Sequence, residues 1–166
     1  MKVVIAAILT LFAHIVYAGD YSLMYGAMGG ISRTTVAYSG NAFFGVIESK
    51  DSPSSSYVEL VPEFGISQYR TTGTVTNQIY FTPKLVYTTG TRFTYDLGIG
   101  VSYLDNKQIG NRPLGTNFEF TDHVGVSYRV AYNFQVGYRL NHISNAGIKE
   151  PNPGVNSQQL YLTYGF

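Results

Sequence analysis

The chain has 166 residues, enough for one domain, and is 45% hydrophobic, 15% aromatic and only 13% charged, about half the usual charged share. Abundant aromatics with so little charge exclude a disordered chain, and a net charge of +1 leaves no electrostatic footprint for nucleic acid. The absence of cysteine excludes a disulfide framework or a thiolate metal site. Tyr (15) and Gly (18) are plentiful, yet no long apolar run lies beyond the first residues, an unusual balance for a soluble enzyme.

In chain order, Met1-Lys2 is a short basic start, Val3 to Phe12 an apolar core, and Val16-Tyr17-Ala18 puts small or medium residues where a signal peptidase cuts. Residues 1–18 are therefore expected to be a bacterial secretory signal peptide, with 19–166 as the folded domain. The alternative, a membrane anchor, needs about 20 apolar residues, and this segment is shorter and interrupted by Thr10 and His14. The remainder loses Lys2 and no acid, leaving ten bases against ten acids, with His123 and His142 its two histidines.

Downstream of Gly19 the pattern is period two, not 3.6. The segments around Tyr21–Gly30 and Val36–Ile47 read as strands with poorly resolved faces. Val58, Leu60, Phe64 and Ile66 oppose Glu59, Glu63, Gly65 and Ser67; Phe81, Leu85 and Tyr87 oppose Thr82 and Lys84. Next, Phe93, Tyr95, Leu97, Ile99, Val101 and Tyr103 share one face against Thr94, Asp96, Gly98, Gly100 and Ser102. Phe118, Phe120, Val124, Val126 and Tyr128 then oppose Glu119, Thr121, His123, Gly125, Ser127 and Arg129. Phe134, Val136, Tyr138 and Leu140 face away from Gln135, Gly137, Arg139 and Asn141, and Leu160, Leu162, Tyr164 and Phe166 close the chain.

These make eight strands, each near the 9–11 residues that cross a bilayer at a tilt. Thr88–Arg92 and Ala131–Asn133 are read as tight turns and Ser49–Ser56 as a longer one. The alternate connections, Ile31–Thr34, Thr71–Asn77, Asn106–Asn117 and Ala146–Val155, are read as loops, the alternation of an up-and-down barrel with both termini at its periplasmic end. A lipocalin-like barrel or a soluble sandwich would put the apolar face inside. Here the polar face carries Glu59, Glu63, Asp96 and Glu119 with Lys84, Arg129 and Arg139, charges that can pair in a narrow lumen, while the opposite face is a greasy, aromatic band. The fold expected is all-β: an eight-stranded antiparallel transmembrane barrel. Its aromatic C-terminus resembles the assembly signal of bacterial outer-membrane barrels.

One region breaks the apolar band. The outward parity of Phe134 to Leu140 continues to His142 and Ser144, and that of the last strand leads back from Leu160 to Gln158 and Asn156. On the neighbouring strand Asp122 interrupts the apolar face. His142, Ser144, Asn156 and Asp122 thus converge on one outer patch, and residues i and i+2 share a face about 7 Å apart, within reach of a base acting on a hydroxyl. An interfacial anchor for His142 and turn caps for Ser144 and Asn156 are the structural alternatives. His123 has inward parity and belongs with the lumen.

The stretch His142-Ile-Ser-Asn-Ala-Gly-Ile-Lys-Glu-Pro-Asn-Pro-Gly-Val-Asn156, with Phe118-x-Phe120-x-Asp122 before it, closely resembles the PagL-type lipid A 3-O-deacylases. The resemblance is strong over about 118–166, weaker from 93 to 117, and architectural before that. It implies an outer-membrane esterase acting on lipid A without metal or cofactor, with a homodimer plausible. Ser144 would be the nucleophile and His142 the general base; Gly147 (backbone N–H) and Asn152 (side-chain amide) would form the oxyanion hole; Asp122 and Asn145 would support them. One departure stands out: the family carries Glu where this chain has Asn156, which can orient the imidazole but brings no charge, so the resemblance implies either an attenuated rate or help from another acid, Asp122 or Glu150. A non-enzymatic barrel with a decayed site, and a phospholipase or acyltransferase barrel, are the competing functions.

Overall fold

The computed structural model describes residues 19–49 and 56–166, so the expected signal peptide and most of the Ser49–Ser56 turn lie outside the described residues. The strands are β1 (Asp20–Met28), β2 (Ile31–Ser39), β3 (Phe44–Ser49), β4 (Ser56–Thr71), β5 (Thr74–Thr88) and β6 (Phe93–Leu104). A short hairpin, β7 (Gln108–Ile109) and β8 (Arg112–Pro113), precedes β9 (Phe118–Ala131), β10 (Phe134–Ser144) and β11 (Val155–Gly165). The large sheet runs β2-β1-β11-β10-β9-β6-β5-β4-β3, and a further β2–β4 pairing closes it. β3 continues the line of β2 along β4, Ser39 opposite Glu63 and Phe44 opposite Leu60, so the two are one interrupted strand. Eight strand positions therefore form a closed antiparallel barrel. Closure leaves no sheet edge, as a structure immersed in lipid requires.

The expected parity holds around the barrel, and strand length exceeds the expectation: β4 has 16 residues, accompanied along its length by β2 and β3, and β5 has 15, against 9 in β1. Two expected loops are tight turns instead. Gly29 and Gly30, both with positive φ, turn β1 straight into β2, and Thr72-Gly73 does the same between β4 and β5. Ile31–Thr34 and most of Thr71–Asn77 are therefore strand. At this loop end only 105–117 and 145–154 are long, and the second contains the candidate site.

Outward aromatics form a girdle near the termini: Tyr21 stacks on Phe166 at 5.5 Å, Phe134 meets Tyr164 at a tilt at 5.0 Å, and Phe93 meets Tyr128 edge-on at 5.1 Å. Inside, Arg139 grips Glu63 through two bonds of 2.7 and 3.1 Å and reaches Asp96 at 2.9 Å. Lys84 adds a 2.8 Å pair to Glu63, and His123 lies 2.9 Å from Asp96. Of the polar face, Arg129 is instead exposed at the rim, and Glu119 is buried with Thr116 as its partner at 3.0 Å. Arg33, expected in a loop, is a lumen cation only 2% exposed, held by Ser67, Ser157 and Gln78 and lying 5.0 Å from the Tyr69 ring.

Above this layer the lumen is sealed. Ile31, Tyr69, Leu104, Ile109, Leu114, Ile143 and Val155 form an apolar plug beneath the two long loops. A cavity of about 550 Å3 opens only at the other end, lined by Glu59, Lys84, Arg129 and Arg139 among others. The plug matters for the site: Ile143 (1% exposed) and Val155 (2%) face each other across β10–β11 inside it. With those two side chains driven inward, the pleat turns their neighbours His142, Ser144 and Asn156 outward. A one-residue slip would expose both apolar side chains and bury the polar ones, so packing fixes the register.

Candidate active site

β10 lies between β9 and β11, and the ladder places Asp122, His142 and Asn156 at one level across the three strands. His142 Nδ1 is 2.6 Å from Asn156 Oδ1. A carbonyl oxygen can only accept, so Nδ1 carries the proton and Nε2 keeps its lone pair, the tautomer of a general base. Ser144 follows two residues on along the same outward face, opposite Phe120. Among the described residues no hydrogen bond joins its hydroxyl to the imidazole; such contacts commonly tighten only around substrate.

The 145–154 loop is built on a reversed turn. Ile148 N–H donates to Asn145 C=O at 3.0 Å, and the central residues Ala146 and Gly147 have φ of 54° and 78°. Both positive angles mark a type I′ turn, and a non-glycine residue held there stores strain. The turn's bond uses the N–H of Ile148, and among the described residues the N–H of Gly147 has no hydrogen-bond acceptor. Asn152 points its Oδ1 at Asn145 N–H, 3.2 Å away, so its Nδ2 donors are turned from that contact. Gly147 and Asn152 are thus two donor sources on one loop that begins at Ser144.

Asn145 is fully buried and acts as a staple. Its Nδ2 donates to Leu114 C=O and Lys149 C=O, both at 2.7 Å, tying the site loop to the 105–117 loop. Gly115 sits so close that a Cβ there would meet Lys149 O at 2.6 Å and Pro151 O at 3.1 Å. Glu150 is committed to the loop, its Oε2 accepting from Asn152 N–H at 3.0 Å. Of the two carboxylates, Asp122 and Glu150, Asp122 shares the level of the imidazole.

Two neighbours escaped the sequence reading. Gly154 (φ 61°) backs the imidazole so closely that a Cβ would come within 2.7 Å of His142 Cε1. Arg112 Nη1 donates to the Gly154 carbonyl at 3.3 Å. The Pro153-Gly154 dipeptide was a turn signal that could have flagged the first; nothing local flags Arg112. Below the patch a surface groove of about 350 Å3 is lined by Asp122, His142 and Asn156 with Met28, Leu97, Val124 and Leu140. Polar groups at one end of an apolar groove suit a lipid whose reacting bond lies at its polar boundary.

Comparison with known proteins agrees. The family model described as Lipid A 3-O-deacylase (PagL) matches residues 41–165, extending well upstream of the segment in which the resemblance was strong. A lipid A deacylase PagL of Bordetella bronchiseptica is 32% identical over 152 residues, covering 89% of this chain and 84% of that protein. That of Pseudomonas aeruginosa is 38% identical over 66 residues, 40% of this chain and 38% of its own length. The crystal structure of the outer membrane enzyme PagL superposes with a TM-score of 0.73 at 25% identity, covering 87% of this chain and 98% of that one. An outer-membrane β-barrel of an ester-hydrolysing family, the chain belongs to the PagL lipid A 3-O-deacylases.

Proposed function

We propose that the chain is a serine esterase that removes the 3-O-linked acyl chain of lipid A at the outer leaflet, working on the lipid-facing exterior of its barrel. Ser144 Oγ attacks the ester carbonyl while His142 Nε2 takes its proton. The oxyanion is met by the Gly147 N–H and the Asn152 Nδ2, donors of the kind that usually make the largest single contribution to acyl transfer. The C–O ester bond breaks, the sugar oxygen leaves with the proton from His142, and an acyl-Ser144 remains. Water, deprotonated by the same imidazole, attacks the acyl-enzyme and releases a fatty acid. Asn145 holds the loop that carries both donors.

The observation that supports this reading best is the 2.6 Å contact from His142 to Asn156, which prepares a base on a surface that otherwise faces hydrocarbon. Polar side chains facing lipid are costly and tend to mark function. Lipid A from cells expressing the chain is expected to lose one acyl group by mass spectrometry, and cells expressing Ser144→Ala to keep it. Identical lipid A from both would remove the hydrolase reading and leave a non-enzymatic barrel; acyl gain or phospholipid turnover would move it to another reaction. The homodimer implied by the resemblance belongs to the same reading and is read by light scattering of the detergent-solubilised barrel.

A further inference from the structure

On the far side of the barrel from the candidate active site, the outward face changes from apolar to polar in ordered rows. Val36, Ile66, Ile79 and Tyr103 lie at one level across β2, β4, β5 and β6, each more than half exposed. One step nearer the loop end, Thr34, Gln68 and Asn77 take their places, with Asp105 just beyond β6. Gln68 Nε2 donates to Asn77 Oδ1 at 3.0 Å. Asn77 in turn donates to Asp105 through its Nδ2 at 2.6 Å and its backbone N–H at 2.8 Å. A further step brings Arg70, between Ser32 of β2 and Val75 of β5.

Arg70 is an exposed cation fixed from below. Its Nε donates to Gln68 Oε1 at 2.6 Å, and Ser32 Oγ donates to its carbonyl at 3.3 Å. Gln68 is itself held by Asn77, so the guanidinium is oriented before any ligand arrives, which lowers the entropy cost of binding. Among the described residues Arg70 Nη1 and Nη2 have no hydrogen-bond partner. The acid of this network, Asp105, has both oxygens engaged by Asn77. A planar fork with its outer nitrogens free matches a phosphate, which accepts two parallel N–H bonds. Arg70 stands four residues, about 13 Å, above the apolar row along the strand, so a lipid with its chains on that row brings its headgroup to the fork. We infer that Arg70, oriented by Gln68 and Asn77, binds a phosphate of lipid A held as a boundary lipid of the outer leaflet. That lipid is not the one being cut, because β9 and β6 separate β5 from β10 on one side and β11, β1 and β2 separate β4 from it on the other.

Native mass spectrometry of the full chain released from detergent micelles counts the lipids it keeps. With Ser144→Ala to prevent turnover, the barrel is expected to retain two copies of bisphosphorylated lipid A, and to lose a copy when the same lipid is stripped of its phosphates. Adding Arg70→Leu should weaken the second copy about tenfold or more, the worth of a hydrogen bond to a charged group. Gln68→Leu, which only frees the guanidinium, should weaken it less. Far-UV circular dichroism verifies that each variant keeps its barrel. With Ser144 intact, Arg70→Leu should deacylate lipid A at the wild-type kcat. Equal retention with and without Arg70, or equal retention of the phosphate-free lipid, would overturn the site and leave the esterase reading standing. A fall in kcat for Arg70→Leu would overturn its separation from the active site. A chain that keeps the Arg70-dependent copy but never deacylates lipid A would overturn the esterase reading alone.

Discussion

His142 donates its Nδ1–H to Asn156 Oδ1 across the β10–β11 pair at 2.6 Å, so the base is oriented by a neutral amide. An amide can hold the tautomer but cannot offset the positive charge that the imidazole gains when it takes the serine proton. Replacing Asn156 with Glu is expected to raise kcat by about tenfold, equivalent to about 1.4 kcal/mol of transition-state stabilisation. Asn156→Leu removes the orienting acceptor and should lower kcat by about tenfold or more. Steady-state kinetics in micelles decides both, and a Glu variant no faster than wild type shows that charge at this position does not limit the rate.

The same ladder puts Asp122 at the level of His142 on its other flank, and both line one groove. A carboxylate there can lend the imidazolium the charge that Asn156 lacks, whereas Glu150 is tied to the Asn152 backbone. Asp122→Asn should therefore lower kcat by about tenfold, and Asn156→Glu should restore much of it in the double variant. The coupling energy of such a cycle is commonly about 0.5–3 kcal/mol between groups serving one centre. Strict additivity would place Asp122 outside the reaction.

How much of this was legible in the sequence follows from which forces act locally. Strand parity was readable because each strand has one face in lipid and one in a crowded lumen, so alternation persists from Phe93 to Tyr103 and from Phe134 to Leu140. That parity was enough to carry His142, Ser144 and Asn156 to one exterior patch. Turn lengths at the loop end were misjudged because Ile31 to Thr34 reads as polar linker: Arg33 and Ser32 break the apolar pattern. The lumen supplies what the sequence hides, since Arg33 is satisfied by Ser67, Gln78 and Ser157 from three distant strands. Arg112 and Gly115 were illegible for the same reason, because their roles arise from packing against the 145–154 loop, far along the chain.

Oxyanion stabilisation can be separated from binding. Asn152 Oδ1 is engaged by Asn145 N–H, so Asn152→Ala removes a donor amide and loosens one loop contact. Loss of one oxyanion donor commonly lowers kcat by about 10²–10³-fold. The expected result is a fall of that size with KM little changed, measured on a micellar ester substrate. A matching rise in KM with unaltered kcat would reassign Asn152 to ground-state binding.

Gly154 gives a steric test of the imidazole's seat. An alanine methyl would stand 2.7 Å from His142 Cε1, and the backbone there has a φ of 61° that disfavours any side chain. Gly154→Ala should therefore displace the ring from Asn156 and lower kcat by about 100-fold or more, consistent with the sensitivity of catalysis to misplacements near 1 Å. The barrel's unfolding midpoint in urea should change little, because the position lies in a loop outside the sheet. A variant that keeps its activity would show that the loop yields and the ring does not.

Stability should be governed at the opposite side of the molecule's centre. Arg139 neutralises two buried carboxylates at once, Glu63 and Asp96, and neither could shed its charge into water inside the lumen. Breaking a buried pair by removing one partner costs about 3–5 kcal/mol because the other charge is stranded. Arg139→Met is expected to lose stability on that scale in urea unfolding from lipid vesicles, with Lys84 and His123 limiting the loss. Pairing it with Glu63→Gln should recover part of it, since the stranded charge is then gone. The lumen network lies inside the barrel and the dyad outside it, so the folded fraction of Arg139→Met should retain its kcat. A drop in kcat without a drop in stability would mean that the charged core also sets the geometry of the outer patch.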